Sequence, residues 1–132
     1  MKNLKNIFID NYLIEIKSSE FRIEDYFIDS NVKIFNINAS NQVRDEESLM
    51  INLYENCEFG EHFGKNWDAL LDCLTEYDDS NFKTYIFIFH NFSSFQSKDE
   101  DSANLFEKVF YFSIERLFEA DDDTEMNLLL LT

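Results

Sequence analysis

The run Tyr85-Ile86-Phe87-Ile88-Phe89 constrains the fold of this chain more than any other segment. Its five consecutive residues are β-branched or aromatic, which is typical of a strand that leaves neither face to water. Strands of this kind occupy the centre of a parallel sheet that other elements cover. We therefore expect an α/β protein.

The flanking segments supply the other elements of such a sheet. Val32 to Asn38 reads as a strand, Asp45 to Cys57 as an amphipathic helix and Asn127 to Thr132 as a terminal strand. His90 to Ser102 is polar and is predicted to be an exposed loop, and Asp121 to Glu125 an acidic turn. The order strand, helix, helix, strand, helix, strand predicts a small three-stranded parallel sheet covered by helices. The apolar positions that mark the first and the last helix are Leu49, Met50, Leu53, Tyr54 and Cys57, and Leu105, Phe106, Val109, Phe110 and Leu117.

The first 31 residues do not fit this order and read as an N-terminal extension packed on a domain formed by residues 32–132. Ile7 to Ile16 predicts two short extended segments joined at Asp10-Asn11, which suits a two-residue hairpin turn. Ser18 to Ile28 fits either a short helix or another extended piece, and its periodicity does not decide between them.

Charge limits the classes of partner. The 132 residues are 45% hydrophobic, enough for one core, but carry a formal charge of −16. Such a charge disfavours nucleic acid and anionic membranes, whose recognition needs Lys and Arg, and favours a basic protein partner. No basic stretch followed by an apolar one resembles a secretion signal, and no apolar run approaches a membrane span, so we expect a cytoplasmic protein.

Catalytic and metal chemistry finds little support. The sequence contains no Gly-rich phosphate loop, no His-x-x-x-His pair and no nucleophile motif, so we expect neither an enzyme nor a cofactor. Asp68 and Asp72 lack the further converging oxygens that a metal site needs. Cys57 and Cys73 have no metal-ligand spacing and are predicted to be reduced.

The segment from His62 to Leu74 carries the strongest functional signal. Trp67, Leu70, Leu71 and Leu74 form one apolar helical stripe, and Asp68, Asp72 and Glu76 follow an adjacent acidic stripe. Like charges four residues apart destabilise a helix by about 0.2–0.5 kcal/mol, so folding gives no reason for these acids. The stripe is either a solvated acidic face or a contact site.

The loop before this helix contains both glycines of the chain, Gly60 and Gly64. Gly64 can take a positive φ or allow another surface to approach closely, and Asn66 suits the N-cap of a helix that starts at Trp67. A shaped loop therefore leads into the acidic helix, which favours the contact site.

The pattern Gly-x-Asn-x-Asp-Ala-Leu-x-Asp-Cys-Leu, from Gly64 to Leu74, resembles the signature of the barstar family, small intracellular inhibitors of secreted bacterial ribonucleases. The similarity extends from about Val32 to Thr132. Ile34 to Arg44 resembles the family's first strand and turn, and Leu117 to Ala120 its last helix. The resemblance implies a barstar-like fold whose acidic helix and preceding loop enter a ribonuclease active site in a 1:1 complex, with carboxylates in place of RNA phosphates.

The resemblance also implies roles for single residues. Asp72 matches the family's central aspartate, and Asp68 its partner one turn earlier. Gly64 matches a loop glycine that lets the enzyme approach, Thr75 a helix-end threonine and Tyr77 an interface tryptophan. Glu119 matches a peripheral acidic contact if that alignment has no gap. The predicted partner-binding set is His62, Phe63, Gly64, Asn66, Asp68, Leu71, Asp72, Thr75, Glu76, Tyr77 and Glu119.

Three departures from the signature predict a changed specificity. His62 replaces an interface tyrosine, Lys65 reverses the sign of a glutamate, and Leu71 replaces a tryptophan. Lys65 would meet a basic site unfavourably, so we expect weaker inhibition of ribonucleases that are cognate to other family members. The first hypothesis is an inhibitor or immunity protein for a ribonuclease toxin; the alternative is a barstar-like module for a non-ribonuclease toxin or another basic protein.

Overall fold

The computed structural model describes residues 1–9, 11–77, 79–120 and 122–132. Its strands are β1 (Lys2–Asn3), β2 (Leu13–Ile16), β3 (Tyr26–Phe27), β4 (Val32–Ile37), β5 (Thr84–Phe89) and β6 (Glu125–Leu131). Its α-helices are α1 (Glu46–Asn56), α2 (Trp67–Leu74), α3 (Phe92–Lys98) and α4 (Glu100–Glu119). No helix of the described residues is long and apolar enough to cross a membrane.

The main sheet is parallel and has four strands in the order β2-β6-β5-β4. Every residue of β5 is buried, which confirms that the run at Tyr85 to Phe89 is an interior strand. The prediction of three strands was wrong, because β2 adds to the free edge of β6, with Leu13 opposite Leu128 and Ile16 opposite Leu131. An unpaired β6 edge would leave its backbone groups without partners in the sheet.

Two apolar cores lie on the two faces of this sheet. Because side chains alternate along a strand, Tyr85, Phe87 and Phe89 of β5 face one way and Ile86 and Ile88 the other. All four helices pack on the first face. The second face is covered by the N-terminal segment, where the buried residues are Leu4 and Phe8 and their partners on the sheet are Val32, Ile86, Ile88, Leu129 and Leu131.

The predicted N-terminal hairpin was wrong. Residues Leu4–Phe8 form a 3-10 helix, and β2 pairs with β6 in parallel instead of folding back on the preceding segment. Asp10, half of the predicted turn, lies outside the described residues. The two alternatives for Ser18 to Ile28 are each realised in part, as 3-10 turns at Ser18–Glu20 and Ile23–Asp25 followed by β3, which pairs with β1.

The predicted loop from His90 to Ser102 was also wrong. α3 occupies most of it, and α4 starts at Glu100, with the Asp99 side chain accepting a hydrogen bond from the Ser102 amide. Phe92 and Phe95 of α3 are buried, with ring centroids 5.0 and 5.6 Å from that of Phe89. These two rings outweigh the polar residues around them because burial of one aromatic side chain contributes about 1.5–3 kcal/mol.

Two other elements follow their patterns closely. α1 begins after Asp45, which accepts a hydrogen bond from the Ser48 amide and forms a capping box with that residue. Its apolar face is buried as predicted except at Tyr54, which is exposed. On α4, Leu105 is likewise exposed. The predicted acidic turn ran from Asp121 to Glu125; Asp121 lies outside the described residues, and Glu125 already belongs to β6.

Candidate functional site

The acidic helix α2 forms where the sequence predicts it. Asn66 has an extended backbone, and its side-chain oxygen accepts a hydrogen bond of 2.8 Å from the Ala69 amide, which confirms the predicted N-cap. The helix ends at Leu74, where the Thr75 hydroxyl donates to the Leu71 carbonyl at 3.1 Å. Glu76 therefore lies beyond the helix, so the acidic stripe on α2 itself consists of Asp68 and Asp72.

Packing fixes the orientation of this stripe. Leu70 and Leu74 are fully buried, and Trp67 packs against the same core, so α2 has one anchored face. Asp68 and Asp72 are exposed, and Leu71 is half-buried beside Asp72. The helix thus presents two carboxylates to solvent while its other face is buried in the core.

Asp72 has an intramolecular partner that the sequence analysis did not identify. Its Oδ1 lies 3.2 Å from Nη1 of Arg116 in the last turn of α4. The side chains are 62% and 48% exposed, so we expect this ion pair to stabilise the fold by less than about 1 kcal/mol. The only signal in the sequence is a cation near a helix C-terminus, which the helix dipole favours in any protein.

The loop before α2 is bent at several positions. Glu58, Gly60 and Lys65 have positive φ angles. Gly64 does not; instead, a Cβ on it would lie 3.2 Å from Asn66 Nδ2 and 3.4 Å from Ala69 Cβ. Of the two alternatives for Gly64, the positive φ was wrong, and the close approach of another surface stays a prediction.

Lys65 and His62, two of the loop's departures from the family signature, differ in their contacts. Lys65 places its Nζ 4.6 Å from the ring centroid of Tyr54 on α1, a cation-π contact that holds the ammonium near the start of α2. His62 is exposed. The loop therefore presents a cation just before the acidic stripe.

Phe63 and Tyr77 lie mainly inside the protein. Phe63 is buried, with its ring 4.9 Å from that of Phe59. Tyr77 stacks on Tyr85 at 4.6 Å, and its hydroxyl donates a hydrogen bond of 2.6 Å to the Cys57 carbonyl. Burial raises the pKa of the Tyr77 hydroxyl, so it remains a donor throughout the physiological range. Both residues hold the segments that flank α2.

We expect Tyr77→Phe to lower the free energy of unfolding by about 1–3 kcal/mol, because the buried Cys57 carbonyl would lose its donor. Urea denaturation of the purified proteins measures this change. Tyr54→Phe, which also removes one phenolic hydroxyl but from an exposed ring, is the control and should stay within about 0.5 kcal/mol. Equal losses in the two variants would contradict the prediction.

The remaining predicted residue, Glu119, is exposed at the end of α4, three residues after Arg116 and therefore on a neighbouring part of the same helix face. Glu76 is also exposed. The packing of α2 on α4 brings Asp72 to Arg116, so the carboxylates of α2 lie beside the C-terminal turn of α4, where Glu119 follows. Lys65 lies before the first turn of α2, and Arg116 contacts Asp72 in its last turn.

The described residues of the site contain neither an activated thiol nor a cluster of metal-binding side chains. Cys57 and Cys73 are both free. Burial raises the pKa of the Cys73 thiol, and the carboxylates of Glu76 and Asp72 raise it further, so its reactive thiolate is disfavoured. Within the described part of the chain, no group of three or more His, Cys, Asp or Glu side chains could hold a metal ion.

Two comparisons with known proteins bear on the family of this chain. A search of curated proteins found no match. A protein-family model described as barstar, barnase inhibitor, matches residues 32–130. The matched range includes β4, both helices of the site and all but the last residue of β6. Members of that family are inhibitors and not enzymes. Because the match covers most of the sequence, from the start of β4 into β6, this chain belongs to the barstar family of barnase inhibitors.

Proposed function

We propose that this protein is a cytoplasmic, non-enzymatic inhibitor that binds a basic ribonuclease toxin in a 1:1 complex and blocks its active site with α2 and the preceding loop. One observation carries the proposal. Asp68 and Asp72 project into solvent from a helix whose opposite face is buried, inside the range that matches the barstar family. Family membership supports a ribonuclease-type partner.

Charge supports the mode of binding. A ribonuclease active site holds a phosphodiester with cationic and hydrogen-bonding groups, and Asp carboxylates form short charge-assisted hydrogen bonds to the same groups. The net charge of −16 would also attract a basic enzyme and speed encounter. The complex between barnase and the type member of this family is a known example of such electrostatic attraction.

The predicted contact residues divide into three groups by their surroundings. Asp72 and Asp68 would form the polar centre, because they are exposed and held on a short, anchored helix. His62, Gly64, Leu71, Glu76 and Glu119 would surround them. Asn66, Thr75, Phe63 and Tyr77 make contacts within the protein that shape the helix and loop, so their effect on binding would come mainly through positioning.

Capture followed by a cleavage assay tests this function. The protein is immobilised, a lysate of the source cells is passed over it, and bound proteins are eluted at high salt. The expected result is a basic protein that degrades a fluorescent RNA when free and stops when one equivalent of the inhibitor is added back. Elution of a partner that cleaves only DNA, or neither nucleic acid, would contradict ribonuclease inhibition and support the barstar-like module for another basic protein.

A further inference from the structure

Arg116 places a positive charge inside the acidic binding surface. Its guanidinium contacts Asp72, the carboxylate expected to bind most strongly, from the neighbouring helix α4. Both side chains remain about half exposed, so an incoming partner would meet the arginine together with the aspartate. The surface is therefore not purely acidic.

A second cation lies at the other end of α2. Lys65, held against the Tyr54 ring, precedes the N-cap residue Asn66, whereas Arg116 reaches the last turn of the helix. The two carboxylates of α2 lie between these cations along the helix. The surface thus has a positive, negative, positive order that a uniformly basic partner does not match.

We propose that Arg116 is a specificity-determining residue, which selects a ribonuclease that presents a carboxylate opposite it and disfavours one that presents a cation there. The inference rests on the proposed function. A cationic group that binds Asp72 must either displace Arg116 or lie beside it, and like charges brought together at an interface are costly. A carboxylate on the partner would instead form a bidentate pair with the guanidinium, the geometry that arginine favours.

A structural role for Arg116 predicts the opposite sign. If the arginine only held the Asp72 side chain ready for binding, its removal would weaken every complex. If it selects by charge, its removal should strengthen binding to a ribonuclease whose site is basic. The direction of the change separates the two roles.

Barnase is the probe, since it is the enzyme named for this family. Inhibition of barnase-catalysed RNA cleavage is measured for wild type, Arg116→Ala and Arg116→Lys at two salt concentrations. We expect Arg116→Ala to lower the inhibition constant about tenfold or more, less at high salt, and Arg116→Lys, which keeps the charge, to stay near wild type. Inhibition by Arg116→Ala that is unchanged, weaker or absent would overturn the proposal.

Lys108→Ala is the matched control. Lys108 is exposed on the same helix and its removal changes the net charge equally, but it makes none of the described salt bridges and lies two turns before Arg116. An equal gain in this variant would also overturn the proposal, because it would show an effect of net charge alone. Failure of the barnase assay would leave the capture experiment intact, so the specificity role and the proposed function can fail separately.

Discussion

Asp72→Ala is expected to weaken binding to the captured ribonuclease by about 2–5 kcal/mol, the usual cost of removing one partner of a buried charge pair. The complex of barnase with the family's type member is itself one of the examples of this cost. The reason is that the enzyme's cations would lose their central carboxylate and remain buried without a partner. The fold should be affected little, because the side chain is 62% exposed and its one ion pair contributes less than about 1 kcal/mol.

Binding and stability must therefore be measured on the same variant, by calorimetric titration and by denaturation. Asp25→Ala is the matched control, because it removes the same side chain from an exposed position in the N-terminal segment, which packs on the other face of the sheet. It should bind like wild type. An Asp72→Ala protein that binds normally but unfolds more easily would make Asp72 a determinant of the fold and not of the interface.

Phe8→Ala should have the largest effect on stability, a loss of about 3–5 kcal/mol. Phe8 is buried against the second face of the sheet, in the core that Leu4 shares with Ile86, Ile88 and Leu129. Truncation would remove one of the few large side chains that keep water from this face. The loss is a large part of the 5–15 kcal/mol that stabilises an ordinary domain.

Ile9→Ala is the adjacent control, because Ile9 is 68% exposed, and its truncation should cost less than about 0.5 kcal/mol. Chemical denaturation of both variants makes the comparison. Similar small losses would mean that residues 1–31 are an appendage that the domain does not need; a loss confined to Phe8→Ala supports a segment that completes the second core.

Local patterns determined the elements whose signals lie within a few residues of each other. The apolar run at Tyr85 to Phe89 identified the interior strand, and the N-cap Asn66 with the leucines after it identified α2 and its exposed acids. The glycine and aspartate motif identified the family over the range that the family model matches. These features depend on chain geometry and nearby hydrogen bonds, which a sequence displays directly.

The tertiary structure decided what depends on distant partners. β2 became a parallel fourth strand because β6, more than a hundred residues away in the chain, offered it a free edge. α3 formed where the polar composition predicted a loop, because the buried rings of Phe92 and Phe95 pack on the ring of Phe89. Tyr77 turned inward to a carbonyl on another segment, and Arg116 reached Asp72 across 44 residues of sequence. Burial and ion pairing act between neighbours in space, and no local pattern states which neighbours the fold will bring together.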